Sequence, residues 1–153
     1  MAAKDKVPAA LRNRLGIAIA RRAYRAYREL LTSPRWLALA ARGAKPQRLL
    51  WASTGTKDAA ASDVLYIEAL AAPDTINTMP DKTLLAFADH GTVTAAMPPD
   101  GGDAEAVLGE FARQGIDAAA LSVELQRQGA AAFAKSWAEL MDRIASESHA
   151  LLQ

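Results

Sequence analysis

Apolar residues recur at intervals of three and four from about Leu11 to Leu31. This spacing places them on one face of an amphipathic helix, and arginines occupy much of the remaining surface. The apolar positions are Leu11, Leu15, Ile19, Ala23, Tyr27 and Leu30, and the arginines are Arg14, Arg21, Arg22, Arg25 and Arg28. Thr32 interrupts the pattern. Ser33 is the expected N-cap and Pro34 the first residue of a short second helix that Gly43 ends.

Two short apolar runs predict buried strands, one over Arg48–Thr54 and one over Thr75–Met79. Between them lies a predicted short helix that Asp63 caps and Pro73 closes. A third, shorter strand is predicted at Thr92–Thr94. The chain therefore alternates strands and helices in its middle section.

Helices dominate the rest of the sequence. A helix is predicted from Lys82 to His90 with Gly91 as its stop, and two more are bounded by capping aspartates and terminal glycines. These two are Asp103 to Gly115 and Asp117 to Gly129. The last helix runs from about Ala131 to Leu151, and its apolar face carries Phe133, Trp137, Leu140, Met141 and Ile144.

The alternation of strands and helices predicts parallel α/β units, because parallel neighbours need a crossover connection. Two or three strands do not make a complete parallel sheet, which must be covered on both faces. We therefore expect a mostly helical α/β chain with two or three parallel strands that forms part of a larger fold, and Met1 is then not necessarily the natural start.

Composition is that of an ordinary globular protein: 153 residues, 51% hydrophobic and 23% charged, with no cysteine. The absence of cysteine excludes disulfides, thiolate zinc sites and cysteine nucleophiles, and it fits a reducing, cytoplasmic setting. The N-terminal residues carry no secretory signal, and no apolar run is long enough to cross a membrane.

Charge is distributed unevenly along the chain. Residues 1–57 hold 13 lysines and arginines against two acidic residues, a net charge of +11, whereas residues 58–153 carry a net −10. Such asymmetry can indicate nucleic-acid or membrane contact. It also fits two halves that face each other, or a basic segment that serves anionic substrates. The arginine-rich helix itself is most simply an outer, solvated helix, and we expect no nucleic-acid and no membrane partner.

The turn after the first strand, Ser53–Lys57, is the densest cluster of small polar residues. Ligands of α/β proteins bind at the carboxyl ends of parallel strands. Hydroxyls and backbone N–H groups exposed there suit a polar ligand, and Lys57 adds a point charge suited to phosphate. An ordinary polar loop explains the same residues.

Several blocks in order resemble the transaldolases of the pentose phosphate pathway. They are RNRLGIAIARRAYRAYREL at Arg12–Leu30, LWASTGTK at Leu50–Lys57, DVLYIEAL at Asp63–Leu70, DTINTMP at Asp74–Pro80, LLAFADHG at Leu84–Gly91 and FAKSWAELMD at Phe133–Asp142. The resemblance covers nearly the whole chain. It implies the C-terminal part of a (β/α)₈ barrel over residues 1–153, with closing helices from about residue 103 onward.

The resemblance also implies a reaction. Transaldolases transfer a dihydroxyacetone unit from a ketose phosphate, such as fructose 6-phosphate or sedoheptulose 7-phosphate, to an aldose phosphate, through a Schiff base on a barrel lysine. It implies no metal and no cofactor. Carried over, Ser53 and Thr54 line the substrate end of a strand and Lys57 holds phosphate. Asn77 and Thr78 reach the same pocket, or else are satisfied within a barrel layer.

The Schiff-base lysine is not expected in this chain. At 153 residues it is shorter than a whole barrel, which takes at least about 200. Of its six lysines, Lys4 and Lys6 are terminal, Lys45 is in a loop, and Lys82 and Lys135 are on helices. Only Lys57 follows a strand, and it does not match the family's catalytic block.

The lysine and the acid–base carboxylates are therefore expected in an N-terminal half of the barrel, and the isolated chain is expected to be inactive. Two alternatives stay open: the transaldolase part of a fusion with phosphoglucose isomerase, and a non-catalytic helical interaction module.

Overall fold

The computed structural model of the chain describes residues 7–151, so Lys4 and Lys6 lie outside the described residues. Two compact units divide the chain, Met1–Glu110 and Phe111–Gln153. The first contains both strands, four whole helices and the larger part of a fifth. The second is helical.

Helix α1 spans Arg14–Thr32 and follows a short 3₁₀ turn at Ala9–Leu11. The helix is amphipathic as predicted, but its buried face is Ala18, Tyr24 and Tyr27. Of the predicted apolar face, Ile19, Ala23 and Leu30 are exposed, so the predicted face is wrong in these positions. Helix α2 follows at Pro34–Ala40. The oxygen Oγ of Ser33 accepts the backbone N–H of Trp36 at 3.2 Å, which confirms the predicted N-cap.

The sheet consists of two parallel strands, β1 at Leu49–Ala52 and β2 at Thr75–Thr78. Both predicted strands are confirmed, each shorter than its apolar run. Leu49 pairs with Thr75, and the register continues without a bulge to Ala52 and Thr78. The connection between the strands carries helix α3, Leu65–Ala69, as a parallel crossover requires.

The third predicted strand, at Thr92–Thr94, is wrong because these residues pair with no other strand. The backbone N–H of Thr92 donates to Oε1 of Glu68 at 2.8 Å, so this donor is satisfied by a side chain. Asp63 as the cap of α3 is also wrong. Val64 is the N-cap residue, and the carboxylate of Asp63 binds the side chain of His90.

Helix α4 spans Asp81–His90 and ends at Gly91, as predicted. Gly91 has ordinary negative φ, so conformational freedom is not the reason for glycine here. A Cβ at this position would overlap the ring of Phe87, and glycine is therefore required for space.

The core of the first unit lies between α1 and one face of the sheet. The buried members of this cluster are Tyr24, Tyr27, Trp51, Leu70 and Met97, and further apolar residues of the unit, among them Val64, Ile67 and Val107, are buried as well. Leu49 packs against the same cluster from β1. One sheet face is therefore covered by helices.

Helix α5, Ala104–Arg113, begins in the first unit and ends in the second. Gly115 lies at φ +76°. The N–H of Ile116 donates to the carbonyl of Phe111 and that of Gly115 to Ala112, which closes the helix in a Schellman motif and confirms the predicted glycine stop.

Helix α6 runs without interruption over Ala118–Leu151, a length of 34 residues. Asp117 caps it, since its Oδ1 accepts the N–H groups of Ala119 and Ala120. The predicted stop at Gly129 is wrong. A glycine inside a helix costs only about 1 kcal/mol, and three alanines of high helix propensity follow directly.

Candidate functional site

The carboxyl ends of β1 and β2 lie side by side because the strands are parallel and in register. Just beyond β1, Ser53 adopts a left-handed backbone conformation with φ +56°. The chain turns there, and the N–H of Thr54 still reaches the carbonyl of Thr78, at 3.5 Å. The turn Ser53–Lys57 therefore begins directly over the end of the sheet.

Thr54 joins the ends of the two strands. Its Oγ1 donates a 2.6 Å hydrogen bond to Oδ1 of Asn77, and the residue is only 5% exposed. Asn77 is half-buried. The hydroxyl of Thr78 donates to the carbonyl of Trp51 at 3.3 Å, a second link across the same strands.

Gly55 lets the turn pack closely against the start of α4. A Cβ at Gly55 would lie 3.3 Å from Cγ of Pro80 and 3.4 Å from Oγ1 of Thr83. Thr83 is itself buried. The first turn of α4 therefore forms one wall behind the polar turn.

Two side chains of the turn, those of Thr56 and Lys57, differ in their access to solvent. Oγ1 of Thr56 is shielded from solvent and has no hydrogen-bond partner within residues 7–151. The ammonium group of Lys57 is on an exposed side chain. The exposed cation is suited to an anionic ligand, whereas the shielded hydroxyl of Thr56 is closed to one.

Five residues were singled out in the sequence. The structure places Ser53, Thr54, Asn77 and Thr78 at the carboxyl ends of the two strands, and Lys57 follows in the turn Ser53–Lys57. Thr54 and Asn77 bond to each other, while Ser53 and Thr78 are exposed. Thr54 is thus oriented by an internal partner, and Ser53, Lys57 and Thr78 are open to solvent.

Sequence reasoning missed two groups that support the turn. Nδ2 of Asn13 donates to Oδ2 of Asp58 at 2.8 Å, which ties the residue after Lys57 to the start of α1. Thr83 packs behind Gly55. No pattern in the neighbouring sequence indicates either contact. The turn at Asp58 itself is indicated, since Oδ1 of Asp58 accepts the N–H of Ala60 and an aspartate followed by small residues favours such a turn.

His90, at the end of α4, contacts two carboxylates. Its Nε2 lies 2.9 Å from Oδ1 of Asp63, and its Nδ1 lies 3.2 Å from Oδ2 of Asp89. Hydrogen bonds to Asp63 and then to Asp89 raise the pKa of His90, and the bond to His90 lowers the pKa of Asp63. All three are exposed, so this cluster is a surface ion pair between α4 and the segment before α3.

The arginines of α1 are matched by acidic residues from the second half of the sequence. The ion pairs are Arg14 and Arg21 with Asp103, Arg22 and Arg25 with Glu105, and Arg28 with Asp74. The hydrogen bond from Arg22 lowers the pKa of Glu105. These ion pairs all lie within the first unit, and they fit the interpretation in which the basic segment faces acidic residues from later in the sequence.

Among the side chains that the structure describes, those of residues 7–148, no group of histidines, aspartates and glutamates is arranged to hold a metal ion. Across the same residues, no helix combines the length and apolar character needed to cross a bilayer.

Comparison with known proteins identifies the family. Residues 1–144 match the family profile described as Transaldolase/Fructose-6-phosphate aldolase. The chain is 50% identical over 136 residues to a transaldolase of Parafrankia sp., covering 88% of this chain and 37% of that protein. It is 48% identical over 139 residues to a transaldolase of Thermobifida fusca, covering 90% and 38%.

A transaldolase of Neisseria meningitidis is 41% identical over 135 residues, covering 88% of this chain and 38% of the relative. The chain thus spans less than two fifths of the length of these relatives and corresponds to their C-terminal part. The resemblance read from the sequence is confirmed, and the chain belongs to the transaldolase/fructose-6-phosphate aldolase family.

Proposed function

We propose that this chain forms the C-terminal part of a transaldolase-type (β/α)₈ barrel and one wall of its sugar-phosphate pocket. The complete protein transfers a dihydroxyacetone unit between sugar phosphates of the pentose phosphate pathway, through a Schiff base. The observation that carries the proposal is the polar turn Ser53–Lys57 held over the carboxyl ends of two parallel strands, where α/β barrels bind substrate.

The residues at the carboxyl ends of the two strands have different proposed roles. Ser53, exposed at the turn, and Thr54 line the substrate end of β1. Lys57, exposed in the same turn, contributes the charge that holds the phosphate. Asn77 and Thr78 complete the edge from β2, with Asn77 oriented by Thr54. These groups bind and orient substrate; none of them forms the covalent intermediate.

The Schiff-base lysine belongs to the N-terminal half of the barrel. Within residues 7–151, Lys57 alone of the lysines follows a strand, and it is exposed in the turn rather than enclosed. A Schiff-base lysine must lose its proton at working pH, which desolvation in an apolar pocket promotes. The isolated chain is therefore expected to be inactive, and the N-terminal half of a barrel is its expected partner alongside sugar phosphates.

The same proposal implies where the protein is located and what it binds. We expect a cytoplasmic protein that requires no cofactor and binds neither nucleic acid nor membrane. The chain is also compatible with being the transaldolase part of a longer fusion with phosphoglucose isomerase.

A chimaera tests the role of Lys57. In it, this chain replaces the matching C-terminal segment of the Parafrankia transaldolase. Lys57→Gln is expected to raise KM for fructose 6-phosphate while kcat changes much less, because a phosphate contact binds ground and transition states alike. Lys45→Gln, an exposed lysine before β1, is the matched control. Equal KM values for the two variants would overturn the assignment.

A further inference from the structure

The polar turn Ser53–Lys57 is held at both of its ends. At its start, Oγ1 of Thr54 donates a hydrogen bond to Oδ1 of Asn77 across the ends of the two strands. Just after its end, Nδ2 of Asn13 donates to Oδ2 of Asp58 at 2.8 Å, although these residues are 45 positions apart. Asn13 and Asp58 are both half-buried. The turn therefore has one anchor on the sheet and a second on the segment before α1.

The backbone of Asn13 suits it to this contact. Asn13 is the residue before α1, and it lies in the left-handed region with φ +61°. Asparagine is one of the few residues besides glycine that adopt this conformation readily. Its side chain makes no capping hydrogen bond to α1, so its amide is available to the distant carboxylate. The contact with Asp58, and not the start of the helix, accounts for the side chain of Asn13.

Asp58 places a negative charge one residue after Lys57. Both of its carboxylate oxygens accept a hydrogen bond, Oδ2 from Asn13 and Oδ1 from the backbone N–H of Ala60 at 3.1 Å. Lys57 is exposed, and among the side chains of residues 7–148 no carboxylate forms an ion pair with it. A carboxylate released at this position would attract the ammonium group and repel a phosphate.

We propose that Asn13 is a positioning residue for phosphate binding. Its amide holds the carboxylate of Asp58 in a hydrogen bond and so keeps it from pairing with Lys57, whose charge stays available to the substrate phosphate. The proposal rests on the proposed function, in which Lys57 is the phosphate contact. Asn13 acts through Asp58 and does not touch the substrate. The preference for phosphorylated sugars therefore depends on a residue outside the turn.

Asn13→Gly tests the proposal in the chimaera with the Parafrankia transaldolase described above. The substitution removes the amide but keeps the left-handed backbone, which glycine adopts freely. We expect KM for fructose 6-phosphate to rise by about two- to fivefold, the range of an exposed ion pair, with kcat little changed. The kinetic constants for unphosphorylated fructose as the donor should stay the same. An equal rise of KM for both sugars would indicate a merely structural role and overturn the proposal.

Asp74→Gly is the matched control. Asp74 is also a non-glycine residue with φ +61°, and its side chain is also bound to a distant partner, Arg28. It lies before β2, at the opposite end of the sheet from the polar turn. The control should therefore leave KM for fructose 6-phosphate unchanged.

Asp58→Asn separates the charge of Asp58 from the stability of the turn. On its own it should leave KM for fructose 6-phosphate nearly unchanged, because the carboxylate is already held by Asn13. In the Asn13→Gly background it should return KM to the unsubstituted value. Equal effects of Asp58→Asn in the two backgrounds would show that Asn13 does not control this charge, and would overturn the proposal. An unchanged KM in Asn13→Gly would overturn it as well.

Failure of this proposal is separable from failure of the proposed function. If Lys57→Gln raises KM and Asn13→Gly does not, Lys57 keeps its role and only that of Asn13 is overturned. If neither variant changes KM, both are overturned. Binding of inorganic phosphate to the same chimaeras, followed by phosphorus NMR, gives the comparison without turnover. Weaker binding in Asn13→Gly that Asp58→Asn restores would support the proposal, and equal binding would overturn it.

Discussion

The hydroxyl of Thr54 donates a 2.6 Å hydrogen bond to Oδ1 of Asn77, joining two residues 23 positions apart at the carboxyl ends of the two strands. Thr54 is buried, so water cannot readily replace the bond. It fixes the direction of Asn77 and holds the polar turn over the sheet.

Thr54→Val tests how much this hydrogen bond contributes to the free energy of unfolding. Valine keeps the shape of threonine but leaves Oδ1 of Asn77 without its donor, so the free energy of unfolding should fall by about 1–3 kcal/mol. Urea unfolding followed by circular dichroism measures it. Thr94→Val, at an exposed loop threonine, is the control and should stay within about 0.5 kcal/mol of the unsubstituted chain. Equal stabilities of the two variants would contradict the buried-bond account.

The pair of His90 and Asp63 predicts a pH dependence. The pKa of His90 is raised above its ordinary 6.5 by Asp63 and Asp89. His90 therefore contributes its full stabilisation to the folded state below pH 6.5, and this contribution is lost as the pH rises through the raised pKa. The pKa of Asp63 is lowered from its ordinary 3.8 by His90, so its contribution is lost as the pH falls through the lowered value.

The stabilising window consequently lies between the two ordinary pKa values. His90→Gln should lower the urea midpoint at about pH 5 and have little effect at about pH 9, where His90 is neutral. The effect at pH 5 should be small, since both side chains are exposed. A larger loss at pH 9 than at pH 5 would contradict the ion pair.

Two glycines of the second unit, Gly129 inside α6 and Gly115 just after α5, should respond in opposite ways to alanine. Gly129 lies inside α6 with nothing within 4 Å of an added Cβ, so Gly129→Ala should stabilise the helix by about 0.5–1 kcal/mol. Gly115 has φ +76°, where a Cβ costs about 1–2 kcal/mol, so Gly115→Ala should destabilise. Thermal unfolding of both variants measures the difference. Destabilisation by Gly129→Ala would indicate that α6 breaks there.

Ion pairing of the α1 arginines predicts weak nucleic-acid affinity. The five arginines on α1 are already matched by Asp74, Asp103 and Glu105. We expect no change in the fluorescence anisotropy of a labelled DNA duplex at low salt. The double variant Asp103→Asn with Glu105→Gln removes the acidic partners of Arg14, Arg21 and Arg22 and leaves Arg25 with Glu29 alone. It should gain binding that added salt removes. Salt-sensitive binding by the unsubstituted chain would restore the nucleic-acid interpretation of the charge asymmetry.

Local signals accounted for much of the fold. Ser33 before Pro34 and Asp117 before three alanines are caps whose partners lie within three residues, and both formed as predicted. The two strands were likewise predictable from their apolar runs. The family blocks placed the candidate site at the turn Ser53–Lys57, and its position at the strand ends follows from the parallel order.

The errors came from partners that are distant in the sequence. Asp63 precedes a helix as a cap would, but His90, 27 residues away, provides a competing contact. The segment at Thr92–Thr94 has suitable residues for a strand, yet Glu68 binds its first N–H group. The bond between Thr54 and Asn77 depends on the register of two strands, which no local pattern of either strand specifies.

The central claim is that this chain shapes a transaldolase pocket without supplying its Schiff-base lysine. Intact mass of the purified chain after incubation with fructose 6-phosphate and borohydride tests it most directly, with the Thermobifida fusca transaldolase trapped in parallel. We predict an adduct on the full-length enzyme and no mass gain on this chain. A gain equal to one reduced dihydroxyacetone adduct on this chain, lost in Lys57→Gln, would contradict the claim and identify Lys57 as the nucleophile.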